Sequence, residues 1–377
     1  MKKKLTVWQA ACIIAGYSVG SGIMALPYLM SHAGVAIGAV IIVVAFVLSY
    51  FMHMLLAELA MGAKGNEQIV SIFSKYMVRG SVGKVIEAVS MVIVVLALFF
   101  AQAGFISGGA DVLVSAGIPE IVAIIIFYVI AAAVVFFGLK IIGISESISV
   151  TAIIAVILVL AVGSIGHFDN SLSIPTGSFT DILAFYGMTM FAFVAFFSIP
   201  QAVVGLDYDP VKIRRAVLTG LSINFVFILV IVGCSLGASP NITELAILGW
   251  SAGIGTWAQI LGGIFTLLAM LTTYWSNSLA CSDMIREQFK LDDRLCWLLA
   301  TLPSLVLVLV LGSGFLSMMR LSSGLVAILI AIGLPIVVAR AKKMNGRLFL
   351  VKPWMASTPM LVLLVVAFVF MAVGSMI

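Results

Sequence analysis

The sequence predicts an all-α integral membrane protein with about 11 transmembrane helices. Hydrophobic residues make up 63% of the 377 residues and charged residues only 9%, whereas soluble domains carry roughly 25% charged residues. The mean hydropathy is +1.28. With about 20 residues in each spanning helix, the chain has room for about ten to twelve spans joined by short loops. A water-soluble catalytic or nucleic-acid-binding domain is therefore excluded.

Eleven apolar segments, which we number spans 1 to 11, remain when the chain is divided at its polar and Gly/Pro clusters. Their lengths suit transmembrane helices, some of them tilted. They cover residues 6–30, 34–60, 84–110, 119–139, 145–166, 181–204, 215–237, 256–281, 295–312, 320–340 and 355–376.

The distribution of basic residues predicts the orientation of the chain. The net charge of +5 could by itself indicate a nucleic-acid partner. If the N-terminus is cytoplasmic, however, every Lys and Arg except Arg320 falls on the cytoplasmic side of the predicted spans, as the positive-inside rule requires. We therefore expect a multi-pass protein of the plasma membrane, with a cytoplasmic N-terminus, an extracellular C-terminus, the lipid bilayer as its environment and no nucleic-acid partner.

Two of the loops contain helical patterns. Residues 66–78 are expected to form a short amphipathic helix on the cytoplasmic face, and residues 241–250 a short helix outside. In the first loop, four apolar residues recur at helical spacing: Ile69, Ile72, Phe73 and Tyr76.

A helix break is predicted in span 1. Gly16, Gly20 and Gly22 place three glycines within seven residues near the middle of the bilayer. Glycine is a poor helix former, and backbone freed from a helix at that depth must face protein or a water-filled cavity. The alternative is an unbroken helix in which Gly16 and Gly20 form a close-packing face.

A second break is predicted in span 6, where residues 191–200 (FAFVAFFSIP) combine poor helix formers with Pro200. Both stretches begin about ten residues into their spans. Five spans lie between the two starts, so the second half enters the membrane from the opposite side. Inverted repeats with broken helices at matching positions are typical of secondary transporters that bind their substrate at the midplane. The predicted repeats are residues 1–166 (spans 1–5) and 181–340 (spans 6–10), with residues 355–377 as an additional span.

Three segments resemble the amino acid, polyamine and organocation superfamily, especially its amino acid/auxin and aromatic amino acid permease branches. They are IIAGYSVGSGIMALPY (13–28), GMTMFAFVAFFSIPQ (187–201) with the loop DYDPVKIRRAVLTG (207–220), and LLAMLTTYWSNSLACSDMI (267–285). The resemblance implies a LeuT-like fold with a 5+5 inverted repeat, and transport by alternating access.

The broken helices suggest a zwitterionic substrate. Unwinding in span 1 would expose N–H groups to a carboxylate, and the freed carbonyls suit an ammonium, so an α-amino acid is expected. In the resembling family the two broken helices hold the head group, and Phe191 matches an aromatic gate. The resemblance therefore implies that the head group is bound by Ser18, Val19, Gly20, Ser21 and Gly22, and by Phe191, Ala192 and Phe193.

Selectivity for the substrate side chain is expected from spans 3, 8 and 10. Gln102 is the only strongly polar residue in the middle of span 3, with Phe99 and Phe105 near it. Such an amide either contacts the ligand or makes a hydrogen bond between helices. Ser276 is a further predicted substrate contact. Weaker candidates of the same kind are Asn224, Gln259 and Asn277.

Ala269, Thr272 and Thr273 in span 8 resemble the Ala-x-x-Thr-Ser/Thr pattern at a sodium site of LeuT-like carriers. The resemblance adds the carbonyls of Gly16 and Val19 as further ligands. The alternative is that each hydroxyl bonds the carbonyl four residues earlier in its own helix. Because Ile23 stands where the family's other sodium site uses an Asn, at most one Na⁺ is expected, and no other cofactor.

Proton coupling is the rival hypothesis. Residues 147–166 of span 5 contain no Lys, Arg, Asp or Glu, although some relatives use a Lys in that helix. The candidate proton carriers are His53, Glu58, Glu87 and Glu146. The three glutamates are expected near the cytoplasmic interface, paired with Lys84, Lys140 or Arg79.

No residue pattern indicates an enzyme. The three histidines are scattered, and the four cysteines have no metal-type spacing and are expected to be packing residues. The sequence therefore predicts a secondary amino acid transporter working by cation-coupled symport, with sodium favoured over proton. The alternative is a membrane nutrient receptor of the germinant-receptor type, which binds an amino acid without moving it. The amino acid, exchange instead of symport, the direction, the oligomeric state and any protein partners are left open.

Overall fold

A computed structural model of the chain describes residues 5–19, 22–63, 69–76, 81–137, 139–169, 174–312 and 314–377. Within these ranges the regular elements are helices, and there is no strand. An α-helix forms hydrogen bonds between the backbone N–H and carbonyl groups of one and the same segment. An apolar segment in lipid therefore folds in this way.

In the described residues of its first half, the chain forms seven α-helices and one 3₁₀ helix. They are α1 (Val7–Val19), a 3₁₀ helix (Gly22–Ala25), α2 (Leu26–Ala33), α3 (Val35–Ala63), α4 (Ile69–Tyr76), α5 (Ser81–Ser115), α6 (Glu120–Phe136) and α7 (Leu139–Gly163). The second half begins at residue 174. It contains α8 (Phe179–Ala192), α9 (Ser198–Gly205), α10 (Pro210–Ala238), α11 (Ala246–Ile254), α12 (Thr256–Phe289), α13 (Asp293–Leu311), α14 (Phe315–Asn345), a 3₁₀ helix (Pro353–Ala356) and α15 (Thr358–Ser375).

The described helices confirm an all-helical membrane protein. Seven of them are long and apolar enough to cross a bilayer, or eight when the bent pair α1 and α2 counts as one span. Three shorter apolar helices lie within residues 120–136, 151–163 and 179–192. Each predicted span therefore coincides with a helix or a helix pair. The count of 11 membrane crossings and the division into two repeats stay predictions.

Both predicted breaks are present. The axes of residues 7–18 and 22–33 differ by 49°, and Gly20 and Ser21 between them lie outside the described residues. In span 6, α8 ends at Ala192 and α9 begins at Ser198, with non-helical backbone between them. Pro200 follows this break directly, and in a continuous helix it would leave the carbonyl of Phe196 without its donor. Pro200 lies in the first turn of α9, where a residue without an N–H costs no hydrogen bond.

The broken helices are enclosed by the other helices. The first, α1, packs against α10, α9 and α12, while α8 packs against α2, α3 and α15. Behind them, α5 packs against α12, α13 and α14. This arrangement places the second break, together with Ser18 and Gly22 on either side of the first, in the protein interior, where non-helical backbone at membrane depth is tolerated.

The short helix α4 confirms the amphipathic pattern of the first loop. All four apolar residues of the pattern, Ile69, Ile72, Phe73 and Tyr76, are buried. The Phe73 ring lies edge-on to Phe196, with 5.8 Å between the ring centroids. The helix therefore packs against the break in span 6. The second predicted loop helix is α11, which begins at Ala246 and not at residue 241.

The start of α10 is fixed by a cap. The Asp209 carboxylate accepts hydrogen bonds from the backbone N–H groups of Val211 and Lys212 at 3.0 and 3.2 Å. The Lys212 side chain adds an ion pair at 3.2 Å. These hydrogen bonds, that of the Lys212 N–H above all, hold the pKa of Asp209 below its ordinary value. Pro210 follows at the first helical position, which suits its fixed φ.

The side chains of Lys84, Lys140 and Arg79 lie outside the described residues, so pairing with one of them stays a prediction for Glu58. Its carboxylate is buried and accepts three backbone N–H groups, from Phe349 at 2.8 Å, Leu350 at 2.7 Å and Val351 at 3.0 Å. Preoriented N–H groups satisfy a buried carboxylate without a counter-ion. Arg214 donates to the carbonyl of Leu350 instead, at 2.6 and 3.0 Å. The side chains of Glu87 and Glu146 lie outside the described part of the chain.

We predict that Glu58→Gln lowers the free energy of unfolding by about 2 kcal/mol or more, because its NH₂ group would face a buried N–H group. Thermal unfolding in detergent measures this change. Glu120→Gln is the control, since Glu120 is exposed at the start of α6. Equal midpoints for both variants would show that the three N–H groups do not depend on the Glu58 charge.

Candidate functional site

The two breaks meet in the protein interior. The Ser18 hydroxyl, at the end of α1, lies 3.4 Å from the carbonyl oxygen of Val194 in the second break and 3.3 Å from that of Ile14. The ring of Tyr17 lies against Phe197, with 6.0 Å between centroids. The structure therefore brings together the two stretches that the sequence singled out separately.

Side chains from other helices complete the hydrogen bonding of the second break. Asn224 on α10 donates from Nδ2 to the carbonyl of Ala192 at 2.8 Å. The backbone N–H of Ala195 donates to His53 Nε2 on α3, also at 2.8 Å. The carbonyls of Phe191 and Ala192 lie at the C-terminal end of α8, where the helix dipole is negative. Such an end attracts a cation or an ammonium group.

A small cavity lies between the breaks and helices α5, α12 and α14. The space open to the centre of a water molecule is about 20 Å³, room for roughly one water molecule. Four of the lining residues are aromatic, and the cavity is too small for an amino acid in this conformation. The lining residues are Tyr17, Ala97, Leu98, Ala101, Phe105, Phe191, Val194, Phe197, Thr273, Asn277, Ser322 and Val326.

Phe191 and Phe193 differ in where their rings point. The ring of Phe191 lines the cavity. The ring of Phe193 packs against Phe46 and Phe225, with centroid distances of 6.0 and 6.5 Å. Only the backbone of Phe193 is therefore placed to contact a ligand at the break.

The predicted polar contacts are placed unequally. Gln102 is fully buried, next in the chain to Ala101 of the cavity wall, and neither of its amide atoms has a hydrogen-bond partner among the described residues. Asn277 lines the cavity, and its Oδ1 also has no partner there. Ser276 is partly exposed on the flank of this helix face. Gln259 is exposed on the outside of the helix bundle, so the prediction that it contacts the ligand is wrong.

In the first break, Gly22 is the described residue whose size matters most. A Cβ atom added to it would lie 2.7 Å from Met188 Sδ and 3.0 Å from the Met188 carbonyl oxygen. Gly22 therefore allows the 3₁₀ helix to approach α8 closely. The neighbouring Gly20 and Ser21 lie outside the described residues, and only the backbone of Val19 is described.

The candidate sodium ligands lie beside the first break. Thr272 donates to the carbonyls of Leu268 and Ala269 at 3.0 and 3.1 Å, and Thr273 to Ala269 at 3.0 Å. This is the alternative arrangement that the sequence left open. A hydroxyl that donates to its own helix keeps its oxygen lone pairs. These neutral oxygens fit a hard monovalent cation.

The two threonines line different cavities, although both hydroxyls donate to the carbonyl of Ala269. Thr273 lines the small central cavity together with Tyr17. Thr272 lines a larger cleft of about 530 Å³ together with Gly16, between α1, α7, α10 and α12. Within the described ranges, no three His, Cys, Asp or Glu side chains come together as a metal site. A cation at this site would therefore depend on hydroxyl and carbonyl oxygens.

Several contributors to the site were not selected from the sequence. Tyr17 and Phe197 close the cavity, and Ser322 lines it from α14. Tyr17 lies within the predicted glycine-rich break, and that position was the available signal. Nothing in the sequence around Ser322 distinguishes it from other serines of apolar spans.

Two solved structures share this fold over nearly the whole chain. Mhp1, a nucleobase-cation-symport-1 family transporter with bromovinylhydantoin bound, superposes with a TM-score of 0.63 at 14% identity, covering 99% of this chain and 92% of its own. MhsT in complex with L-phenylalanine gives a TM-score of 0.61 at 15% identity, covering 100% of both chains. The fold with its two broken helices is therefore that of the LeuT-like membrane transporters.

The sequence defines the family within this class. Residues 3–374 match the profile of the tryptophan/tyrosine permease family, and the chain belongs to that family. A tryptophan-specific transport protein of Pseudomonas aeruginosa (strain UCBPP-PA14) is 24% identical over 380 residues, covering 93% of this chain and 89% of the relative. Tyrosine-specific transport system 2 of Haemophilus influenzae (strain ATCC 51907 / DSM 11121 / KW20 / Rd) is 24% identical over 367 residues, covering 89% and 88%. The chain is therefore an amino acid transport protein and not an enzyme.

We predict that Asn224→Leu weakens the second break. The buried carbonyl of Ala192 would lose its donor, at a cost of about 1–3 kcal/mol. Hydrogen exchange measured by mass spectrometry should show the amides of residues 193–197 exchanging roughly ten to a hundred times faster. Gln259→Leu, which removes an exposed amide, is the control. Unchanged protection in Asn224→Leu would mean that the break holds without this cap.

Proposed function

We propose that this chain is a secondary active transporter of an aromatic amino acid, tryptophan or tyrosine, that works by cation-coupled symport and alternating access. The observation that carries the proposal is the contact of the two broken helices at a cavity closed by aromatic rings. The relatives named as tryptophan-specific and tyrosine-specific transport proteins support this class of substrate. We place the chain in the plasma membrane with its N-terminus in the cytoplasm, because of the charge distribution.

The substrate head group lies between the two breaks. The N–H groups exposed by unwinding across Ser18, Val19, Gly20, Ser21 and Gly22 bind its carboxylate. The carbonyls of Phe191, Ala192 and Phe193 bind its ammonium at the negative end of α8. One zwitterion offers partners to both sets of backbone groups, in addition to the hydrogen bonds that the carbonyls of Phe191 and Ala192 already accept.

The aromatic side chain of the substrate replaces the rings that now fill the cavity. Phe105, Phe191 and Phe197 form an apolar wall, and ring contacts of this kind contribute about 0.5–1.5 kcal/mol each beyond apolar burial. The amides of Gln102 and Asn277 then accept a hydrogen bond from the indole N–H or the phenol O–H. A buried amide without partners costs free energy, so a polar aromatic substrate binds better than a purely apolar one.

Movement of the aromatic rings opens and closes the site. In this conformation Tyr17 contacts Phe197, and Phe197 contacts Phe196 with 5.3 Å between centroids. Phe196 in turn contacts Phe73 on α4. This row of rings connects the first break to a loop helix that we place on the cytoplasmic face. Displacement of this row of rings opens a path from the cavity to the cytoplasm, while Phe191 gates the cavity.

Sodium is the proposed coupling ion. Its ligands are the hydroxyls of Thr272 and Thr273 and the carbonyls of Gly16, Val19 and Ala269. Each charge carried with the substrate gains about 2.3 kcal/mol per 100 mV of membrane potential. The rival proton carriers His53 and Glu58 already bind backbone groups, which favours sodium.

Uptake into proteoliposomes tests the function. Labelled tryptophan, tyrosine, phenylalanine and leucine are offered under an inward sodium gradient, an inward proton gradient, or neither. We expect accumulation of tryptophan or tyrosine under sodium alone. Accumulation under protons alone would contradict the coupling ion, and saturable binding without accumulation would contradict transport and favour a receptor.

We predict that Thr272→Ala combined with Thr273→Ala raises the sodium concentration for half-maximal uptake about tenfold or more, because two of the five proposed oxygen ligands are lost. The matched control is Thr266→Ala in the same helix, since buried Thr266 also donates to a carbonyl four residues earlier, that of Gly262, at 2.9 Å. An equal effect in both variants would assign the threonines to helix packing.

We predict that Gln102→Leu raises the KM for the aromatic substrate about tenfold at unchanged protein level, since a substrate N–H or O–H would lose its acceptor. Initial uptake rates measured against substrate concentration give this value, with Gln259→Leu as the control. A KM equal to that of the unaltered chain would remove Gln102 from the substrate pocket.

A further inference from the structure

His53 is a buried polar group that the proposed contacts with substrate and cation do not use. It lies in α3 and is fully shielded from solvent. Nδ1 lies 2.7 Å from the carbonyl oxygen of Ser49, one turn earlier in the same helix. Nε2 lies 2.8 Å from the backbone nitrogen of Ala195, 142 residues away in sequence and inside the second break.

These two partners define the state of the imidazole ring. The Ser49 carbonyl only accepts hydrogen bonds, so Nδ1 must carry the proton. The Ala195 N–H only donates, so Nε2 must be unprotonated. His53 is therefore neutral, with its proton on Nδ1. It serves the break as a hydrogen-bond acceptor.

The bond replaces one that a continuous helix would make. In an unbroken α-helix the N–H of Ala195 would donate to the carbonyl of Phe191, four residues earlier. In this structure the Phe191 carbonyl accepts from the N–H of Val194 instead, at 2.9 Å. Ala195 is completely buried, and without His53 its N–H would lose the partner that it has in this structure. His53 therefore stabilises the interrupted form of the helix over the continuous one.

A second contact connects the same helix to the break. Phe46, seven residues before His53 and so on the same face of α3, lies edge-on to the ring of Phe193. The helix thus holds the break at Phe193 through a ring contact and at Ala195 through a hydrogen bond. The carbonyls of Phe191 and Ala192 come just before Phe193 in the chain, and the carbonyl of Phe193 lies between Phe193 and Ala195.

We infer that His53 is a positioning residue for substrate binding, which holds the second break so that the backbone carbonyls at the end of α8 face the substrate ammonium. The inference rests on the proposed function, because it assigns to His53 the geometry of the head-group site. His53 itself touches neither the substrate nor the cation.

Substitution of His53 separates positioning from folding. His53→Leu removes the acceptor, whereas His53→Gln retains an acceptor oxygen at the distance of Nε2. We expect His53→Leu to raise the KM for the transported amino acid about tenfold or more at equal amounts of folded protein, and His53→Gln to stay within about threefold of the unaltered chain. Met54→Leu, a substitution of similar volume at a buried neighbour, is the packing control.

Two outcomes of this experiment would overturn the inference. One is an unchanged KM in His53→Leu, including the case in which only the maximal rate falls with the amount of folded protein. The other is a KM in His53→Gln as high as in His53→Leu, since an acceptor at the right distance should restore the site.

A spectroscopic measurement covers the case in which His53→Leu does not fold. ¹⁵N NMR of the histidine-labelled full chain, with His53 assigned from the spectrum of His53→Gln, reports which ring nitrogen carries the proton. We expect Nδ1 protonated and Nε2 bare. A proton on Nε2 would overturn the inference, because that nitrogen then could not accept from Ala195.

The two proposals can fail separately. If the unaltered chain accumulates no amino acid under any gradient, the proposed function fails. The positioning role is then still tested by the NMR signal and by the affinity for tryptophan, measured by equilibrium binding to each His53 variant. If the unaltered chain transports and His53→Leu keeps its KM, only the positioning role fails.

Discussion

The need to pair every backbone N–H and carbonyl group inside a bilayer is the constraint on which this structure depends. Unbroken helices such as α3 and α6 meet it within their own segments, and most of their side chains are apolar. The two breaks cannot meet it in this way. Side chains from other helices therefore complete the second break, with Asn224, His53 and Ser18 as the partners of Ala192, Ala195 and Val194.

This distribution of polar groups explains why the breaks are suited to a ligand. The partners of the second break come from α1, α3 and α10, so its position is tied to three separate helices. In the proposed function, a zwitterionic head group adds to the same set of bonds when it binds. The aromatic rings keep the site closed and nearly dry in this conformation, and low polarity strengthens each electrostatic contact that a substrate makes there.

Much of the fold could be predicted from the sequence, because it follows from local properties. Apolar segment lengths gave the long helices, the spacing of Ile69, Ile72, Phe73 and Tyr76 gave α4, and the glycines of span 1 marked a real break. Pro200 lies just after the second break, in the first turn of α9, as expected of a residue that a helix interior does not accommodate. The three backbone N–H groups that the Glu58 carboxylate accepts could not be predicted, because they come from residues about 290 positions later in the chain.

What could not be predicted depends on contacts between distant segments. Hydrophobic spacing indicates that His53 is buried, but it does not indicate that Ala195 lies beside it. For the same reason the sequence placed Phe193 beside Phe191 among the head-group contacts, although only the Phe191 ring lines the cavity. Gln102 and Asn277 were recognisable as intramembrane amides, while their lack of described partners appears only in three dimensions.

A structure of the full chain with L-tryptophan or L-tyrosine bound tests the central claim most directly. The claim is that both broken helices form one substrate site. It predicts ligand density between the first break and the carbonyls of Phe191, Ala192 and Phe193, with the ring of Phe191 or Phe197 displaced from its present position. Density in the cleft between α1, α7 and α10, with the central cavity still closed, would contradict the claim.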